Sequence, residues 1–159
     1  CPFAQPVFES DEVLFQVIES KDQEQQILAL MGLVQQMLTN NSPETALLIL
    51  PNGQEHFFDF LNLLDICNQL LEQQDQLDFV QLASFHPDYL FEGEDVKSPS
   101  HYTNRSPWPM LHLIRQSSIS EALQHFRDPE AIPVRNIALM EELGIEALEQ
   151  QLQQIKGMH

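Results

Sequence analysis

The chain has 159 residues, 43% of them hydrophobic, which is long enough for one domain with a buried core. Its 7 Lys and Arg against 24 Asp and Glu give a net charge of −17, which would repel a nucleic-acid backbone or an anionic membrane, so we expect neither as a partner of this acidic protein. The sequence contains no apolar run of about 18 residues and no secretory signal. Cys1 and Cys67 lie too far apart in sequence for a metal-binding spacing or a disulfide framework. The sequence therefore predicts a cytoplasmic protein.

The amino-terminal half of the chain predicts two β-α-β units. Short apolar runs at 13–18, 46–50 and 79–85 are typical of strands, and the first is expected to be buried on both faces. Between these runs, apolar residues recur every three or four positions, which indicates two amphipathic helices, the first capped by Ser20 or Asp22. The three strands are therefore expected to run parallel.

The carboxy-terminal half predicts one more strand and further helices. Met110–Arg115 is expected to join the sheet antiparallel, because no helix is predicted before it. Ser117 or Ser118 should cap a short helix, and Gly144 should divide the helical stretch that follows. The expected fold class is α/β: a single domain whose mixed sheet of about four strands, in the order β-α-β-α-β-β-α-α, has helices packed on it.

The segment around the last predicted loop concentrates the side chains that could bind a ligand. Residues 84–115 hold three of the six His, both Tyr and the only Trp. Both ends of the 86–108 loop are expected at the carboxyl edge of the parallel strands, where α/β proteins usually bind ligands. The sequence therefore predicts that any site lies in this loop region.

The three histidines of this segment differ in expected role. His86, at the end of the third strand, is a candidate catalytic acid or base, and a structural histidine bonded to loop backbone is the alternative. His112 is a candidate substrate-binding residue if its side of the strand faces the loop, and otherwise a core histidine. His101 lies in a Ser-rich stretch and is expected to be exposed.

Two of the few positive charges suggest an anionic ligand. Arg105 and Arg115 are candidate anchors because a planar guanidinium can bind a carboxylate or phosphate through two hydrogen bonds. Asn104 and Tyr89 are candidate donors that would orient the ligand. The alternative for Arg105 is a salt bridge to a nearby acid of the loop, the candidates being Asp88, Glu92, Glu94 and Asp95.

Cysteine and metal chemistry find little support in the sequence. Cys1 is a candidate nucleophile, provided that a nearby base lowers its pKa. Cys67 lies on an apolar helical stripe and is expected in the core. No HExxH, CxxC, P-loop, GxGxxG or GxSxG motif is present, so no metal site is predicted and the identity of any cofactor stays open.

Several longer motifs are spread over nearly the whole chain. They are CPFA at 1–4, QLASFHPDY at 81–89, YTNRSPWPMLHL at 102–113, and PEAIP at 129–133 with RNI at 135–137. Together they resemble a bacterial family catalogued as domain of unknown function 1415. The resemblance implies a small bacterial cytoplasmic protein with no assigned activity. Family members look longer at the amino end, with a helix before the first motif, so further residues are expected upstream of Cys1.

Two classes of function stay open at this point. The first is a small enzyme or binding protein for a small anionic molecule, with its site in the 86–112 loop region. The second is a non-catalytic interaction module that docks a protein through the aromatic- and proline-rich 86–109 loop. A concave pocket with convergent polar groups would favour the first, and exposed Trp108, Tyr102 and Phe91 would favour the second. The substrate, the reaction and the oligomeric state are not defined by the sequence.

Overall fold

The computed structural model describes residues 4–10, 12–39, 43–125 and 128–157 of the chain. These residues form a four-stranded mixed sheet with helices packed on it, which confirms the predicted fold class. The elements are α1 Ala4–Glu9, β1 Val13–Val17, α2 Gln23–Met37, β2 Thr45–Ile49, α3 Phe57–Gln73, β3 Val80–Phe85, a 3₁₀ helix Pro99–Thr103, β4 Met110–Arg115, α4 Gln116–His125, α5 Ala131–Leu143 and α6 Ile145–Lys156.

The strands lie in the order β1-β2-β4-β3. β1 pairs parallel with β2, and β4 pairs antiparallel with both β2 and β3. The predicted strand directions are therefore confirmed: β1, β2 and β3 run one way and β4 runs the other. β4 lies between β2 and β3, so these two strands are not neighbours. Met110, the first residue of β4, pairs with Ile49 on one side and with Phe85 on the other.

The hydrophobic core lies between one face of the sheet and helices α2 and α3. Asp22 caps α2, as predicted, because its side chain accepts a hydrogen bond from the backbone N–H of Glu24 at 2.9 Å. Alternate residues of the central strands point into this core, and each fully buried aliphatic side chain contributes about 1.5–3 kcal/mol. The core residues include Leu30, Leu33, Val34, Met37, Ala46, Leu48, Phe60, Leu63, Leu71, Leu111 and Leu113.

Strand β1 corrects one expectation. It was predicted to be buried on both faces, but Phe15 is 54% exposed and Val17 is 55% exposed, whereas Leu14 between them packs against the core. The reason is that β1 is an edge strand, and alternate residues of a strand point to opposite faces of the sheet. An apolar run does not by itself distinguish such a strand from one that is covered on both faces.

The carboxy-terminal helices also differ from the prediction in detail. α4 begins at Gln116 directly after β4, so Ser117 and Ser118 lie inside the helix and neither caps it. α5 packs against the 3₁₀ helix and against α6, and Gly144 separates these two α-helices as predicted. None of the helices in the described ranges is long and apolar enough to cross a membrane.

The turn after β2 approaches the turn after β1 closely at Gly53. This residue has a φ of 85°, and a Cβ placed on it would lie 2.8 Å from the Cα of Lys21. Gly93 has a similar φ of 81°, but a Cβ placed there would meet nothing within 4 Å. Comparing an alanine substitution at each glycine therefore distinguishes the destabilisation caused by a positive φ from that caused by a close backbone contact.

We expect Gly53→Ala to lower the free energy of unfolding by about 2 kcal/mol or more, and Gly93→Ala by only about 1 kcal/mol. Both variants add the strain of a positive φ, but only the first pushes two turns apart. Urea denaturation of the two variants and the unchanged protein measures the difference. Equal losses in the two variants would contradict the importance of the contact with Lys21.

Candidate functional site

His86 follows β3 and is completely buried. Its Nδ1 accepts a hydrogen bond from the backbone N–H of Asp88 at 3.0 Å, and its Nε2 is 2.9 Å from the backbone oxygen of Gln54. Since a carbonyl oxygen only accepts, Nε2 carries the proton and the ring is in its neutral Nε2–H form. Phe57 and Phe60 of α3 pack against it, each with its ring centroid 5.3 Å from the imidazole.

This environment favours the neutral form of His86. Burial lowers its pKa below the ordinary value, and Lys156 lowers it further, whereas the bond to Gln54 and the charge of Asp88 act in the opposite direction. A protonated ring would also direct a second N–H at the backbone N–H of Asp88. Both ring nitrogens are thus engaged by backbone groups. The predicted acid–base role stays a prediction that requires one of these two bonds to break.

Three of the other predicted site residues lie next to His86. The backbone N–H of His86 donates to Asn104 O at 3.2 Å, and the backbone N–H of Tyr89 donates to His86 O at 3.2 Å. Arg105 Nε donates to Tyr89 O at 3.4 Å, and Asn104 Nδ2 donates to Ser84 O at 3.2 Å. The two ends of the loop therefore meet at the carboxyl end of β3, where strand direction predicts them.

The Arg105 guanidinium is held by an aromatic ring and by one backbone oxygen. Its central carbon lies 4.5 Å from the centroid of the Tyr102 ring, and its hydrogen bond uses Nε alone. Within the described ranges, no carboxylate pairs with it, including the loop acids that were the alternative partners. Among the residues that the structure describes, the η nitrogens therefore have no hydrogen-bond partner.

His101 corrects another expectation, because it is completely buried instead of exposed. Its Nδ1 accepts from the backbone N–H of Phe91 at 3.1 Å, and its Nε2 donates to Asp95 O at 2.9 Å. The imidazole thus links two backbone groups ten and six residues earlier in the chain, in the same way that His86 links Asp88 and Gln54. The polar composition of the stretch did not indicate this internal role.

His112 and Arg115 lie away from this cluster. His112 Nε2 is 2.6 Å from Thr45 Oγ1, on the face of the sheet opposite to the buried Leu111 and Leu113, and burial lowers its pKa to about 4. Arg115 ends β4 at the other end of the sheet, where it donates hydrogen bonds to Pro43 O and Met37 O. β4 has 6 residues, which places Arg115 about 17 Å along the strand from its start.

The cysteines offer no nucleophile in the described part of the chain. Cys1 lies outside the described residues, and its predicted role stays a prediction. Cys67 is completely buried, and burial raises the pKa of its thiol to about 12, as expected of a core residue. In the ranges that the structure describes, no group of three or more His, Cys, Asp or Glu side chains could hold a metal ion.

A cleft that the sequence did not predict lies at the carboxyl ends of β1 and β2. It has a volume of about 320 Å³, and its lining residues come from the turns after these strands, from the start of α2 and from the first three turns of α3: Lys21, Gln23, Gly53, Gln54, Asp59, Asn62 and Ile66. The two parallel strands and the Pro51-Asn52-Gly53 turn were the signal that could have indicated it.

Buried glutamines connect this cleft to His86. Gln26 Nε2 donates to Ser20 O at 2.8 Å and to Asn52 O at 3.0 Å, so Gln26 Oε1 must accept from Gln54 Nε2 at 2.7 Å. Gln54 Oε1 is then left without a hydrogen-bond partner, and it is the only such buried side-chain atom among the described residues. An unsatisfied buried acceptor costs about 1–3 kcal/mol.

Fold and site together define a small α/β protein with polar side chains gathered at the carboxyl edge of its parallel strands. The family model described as "Protein of unknown function (DUF1415)" matches residues 1–150, so the chain belongs to this family. A search of curated proteins and a search of solved structures each gave no match. The family carries no assigned activity, so function is argued below from geometry.

Proposed function

We propose that this protein binds a small anionic molecule at Arg105, in the 86–112 loop region. The observation that carries the proposal is the Arg105 guanidinium, which is stacked on Tyr102 and bonded to one backbone oxygen but has no carboxylate partner among the described residues. A chain with 24 Asp and Glu could readily have supplied such a partner. A fixed guanidinium whose η nitrogens are available suits a carboxylate or phosphate.

Hydrogen bonds of the loop hold this guanidinium in position. Asn104 Nδ2 donates a hydrogen bond to Ser84 O, which holds the loop against the end of β3. Arg105 Nε donates to Tyr89 O, and the backbone N–H of Tyr89 in turn donates to His86 O. In the proposed site, Arg105 binds the anion, Tyr89 can donate its phenolic hydroxyl, and Asn104 and His86 hold the backbone in place. The proposed site leaves out His112 and Arg115, because the first faces the other side of the sheet and the second ends at its far edge.

Binding without catalysis is the form of the proposal that the geometry favours. An acid or base must have a nitrogen or oxygen free to exchange a proton, and both nitrogens of His86 are bonded to backbone. A docking loop receives less support, because Phe91, Tyr102 and Trp108 are half-buried and Phe91 packs on Tyr89 and His101. A bacterial cytoplasm, the proposed setting, supplies phosphorylated and carboxylated metabolites as probes.

We expect Arg105→Ala to weaken binding of the anion about ten- to a hundredfold, because a hydrogen bond to an ionised partner contributes about 1.5–3 kcal/mol. Arg105→Lys should lose part of the affinity, since it keeps the charge but not the planar fork. The measurement is a thermal-shift screen of phosphorylated and carboxylated metabolites, followed by calorimetric titration of any that raise the melting temperature.

The matched control is Arg135→Ala, which removes an exposed arginine of α5 whose Nε bonds only within its own helix. It should leave the affinity unchanged. The proposal is wrong if no anion stabilises the unchanged protein while Arg105→Ala melts several degrees lower. That pattern would make Arg105 a structural residue of the loop.

A further inference from the structure

We infer that the open edge of strand β1 is a pairing surface for a second copy of this chain. In this arrangement, β1 of one protomer pairs antiparallel with β1 of its partner across a two-fold axis, which joins the two four-stranded sheets into one continuous sheet. The inference is independent of the Arg105 site, which lies at the end of β3, the strand at the opposite edge.

The backbone of β1 has a row of unpaired polar groups along its outer side. The N–H of Ile18 donates to β2 and the carbonyl of Glu12 accepts from β2, so the even-numbered residues of the strand face that neighbour. Successive residues of a strand direct their N–H and C=O groups to opposite sides, so those of Val13, Phe15 and Val17 point away from the sheet. Among the described residues, none of these outward donors and acceptors has a hydrogen-bond partner.

The other edge of the sheet differs, because the loop covers part of it. Asn104 O accepts the backbone N–H of His86, and Asn104 Nδ2 donates to Ser84 O. Within the described ranges β1 has no such cover, and it also lacks the Lys, Pro or bulge that protects exposed edges in natural sheets. An edge of this kind is a template for pairing with another strand.

The side chains of β1 are suited to pairing with themselves. Val13, Phe15 and Val17 lie on one face of the strand, and the last two are 54% and 55% exposed. Antiparallel pairing centred on Phe15 places each Phe15 opposite its symmetry mate and each Val13 opposite the partner's Val17, with two backbone hydrogen bonds at each pair. This register uses all five residues of the strand and sets apolar side chains against one another in every pair on that face.

Charge distinguishes a second copy from a basic protein as the occupant of this edge. The chain has a net charge of −17, but residues 13–18 carry no charge. A basic partner would be recognised by carboxylates, which this strand does not have, whereas two acidic copies repel each other least where charge is absent. The register also sets Glu12, which precedes the strand, opposite the partner's Ile18 and not opposite another acid.

The test is analytical ultracentrifugation of the full chain at about 1–100 μM protein, a range in which mass action shifts a dimer equilibrium. We expect a monomer of 18.3 kDa in equilibrium with a species of twice that mass. Phe15→Lys should weaken the dimer by about tenfold or more, because it sets two like charges opposite each other on the two-fold axis. Added salt should strengthen the dimer of the unchanged chain, because it screens the repulsion between the two copies.

The matched control is Phe58→Lys, which changes a phenylalanine of α3 that is 74% exposed and lies away from β1. It should leave the dissociation constant of the dimer unchanged. The comparison separates pairing at β1 from general association through exposed aromatic side chains.

Hydrogen exchange of individual backbone amides tests the pairing itself. In the dimer, the amides of Val13, Phe15 and Val17 should exchange slowly, and they should exchange rapidly after dilution to the monomer. The amides of Leu14 and Gln16, which face β2, should stay protected in both states and also in Phe15→Lys, where their protection shows that the variant is folded. A dimer formed by packing two sheet faces together would not give this alternation.

Cross-linking tests the register. In a Cys1→Ser background, Phe15→Cys should form a disulfide-linked dimer, because the Cα atoms of a hydrogen-bonded antiparallel pair lie about 5.5 Å apart. Val17→Cys should not, because its two copies would lie about 13 Å apart along the strands.

Three results would overturn the inference. The first is a chain that stays monomeric over the whole concentration range, which would leave the edge of β1 to a different partner. The second is an equal weakening of the dimer by Phe15→Lys and Phe58→Lys. The third is a dimer in which the outward amides of β1 exchange rapidly or in which Val17→Cys cross-links as readily as Phe15→Cys.

Discussion

We expect His86→Ala to lower the free energy of unfolding by about 3–5 kcal/mol. The substitution leaves the buried Gln54 O without its donor, which costs about 1–3 kcal/mol, and it also removes the acceptor of the partly exposed Asp88 N–H. It also opens a cavity against Phe57 and Phe60 in a completely buried position. Equilibrium urea denaturation measures the loss.

The matched control is His56→Ala, because His56 is exposed and makes no side-chain capping bond. We expect that variant to stay within about 0.5 kcal/mol of the unchanged protein. A loss at His86 no larger than at His56 would contradict the structural role of the imidazole and would favour the alternative that His86 is kept for chemistry.

The second large effect is a loss of stability in mild acid. Burial lowers the pKa of His112 from 6.5 to about 4 and also lowers the pKa of His86. Between pH 6.5 and pH 4 the unfolded chain therefore binds more protons than the folded one, so stability falls as the pH falls. The contribution is fully present above about pH 6.5. For His112 alone, the loss from pH 7 to pH 4 amounts to about 3 kcal/mol.

The variant His112→Gln isolates this effect, since glutamine can still donate to Thr45 Oγ1 but does not titrate. Many carboxylates also titrate in acid, so the relevant quantity is the difference between the variant and the unchanged protein in the slope of unfolding free energy against pH. We expect a shallower slope in His112→Gln and no change in His56→Gln. Parallel curves for the unchanged protein and His112→Gln would disprove the assignment.

Much of the fold follows from patterns that lie within single segments. Apolar residues at three- and four-residue spacing define α2 and α3, and short apolar runs define the strands. Strand direction follows from the connecting helices. Pairing partners do not, because periodicity carries no information about which strand lies beside which. The insertion of β4 between β2 and β3, and the exposed face of the edge strand β1, therefore required the structure.

The candidate site, like the fold, could be predicted from the sequence only in part. Strand direction was sufficient to bring His86, Asn104 and Arg105 together, and it could also have placed Arg115 at the far edge, since β4 starts where the other strands end. Bonding of His86 to backbone was one of the two alternatives, but its particular partner Gln54 O and the Thr45 hydroxyl beside His112 could not be predicted, because they lie 32 and 67 residues away along the chain. The Gln54 cleft was missed for a related reason: its polar residues are ordinary surface types until the turns bring them together.

The position of β4 also constrains the order in which the sheet can be completed during folding. β1 and β2 can pair as soon as α2 has closed the connection between them, but β3 has hydrogen bonds within the sheet only to β4. Until the last strand arrives, β3 has no place in the sheet. Its arrival closes a loop of 24 residues, and loop closure of this kind is slower than local helix formation. Two imidazoles restrict this loop: His86 bonds to the backbone of Gln54 in the turn before α3, and His101 bonds to the backbone of Asp95 within the loop.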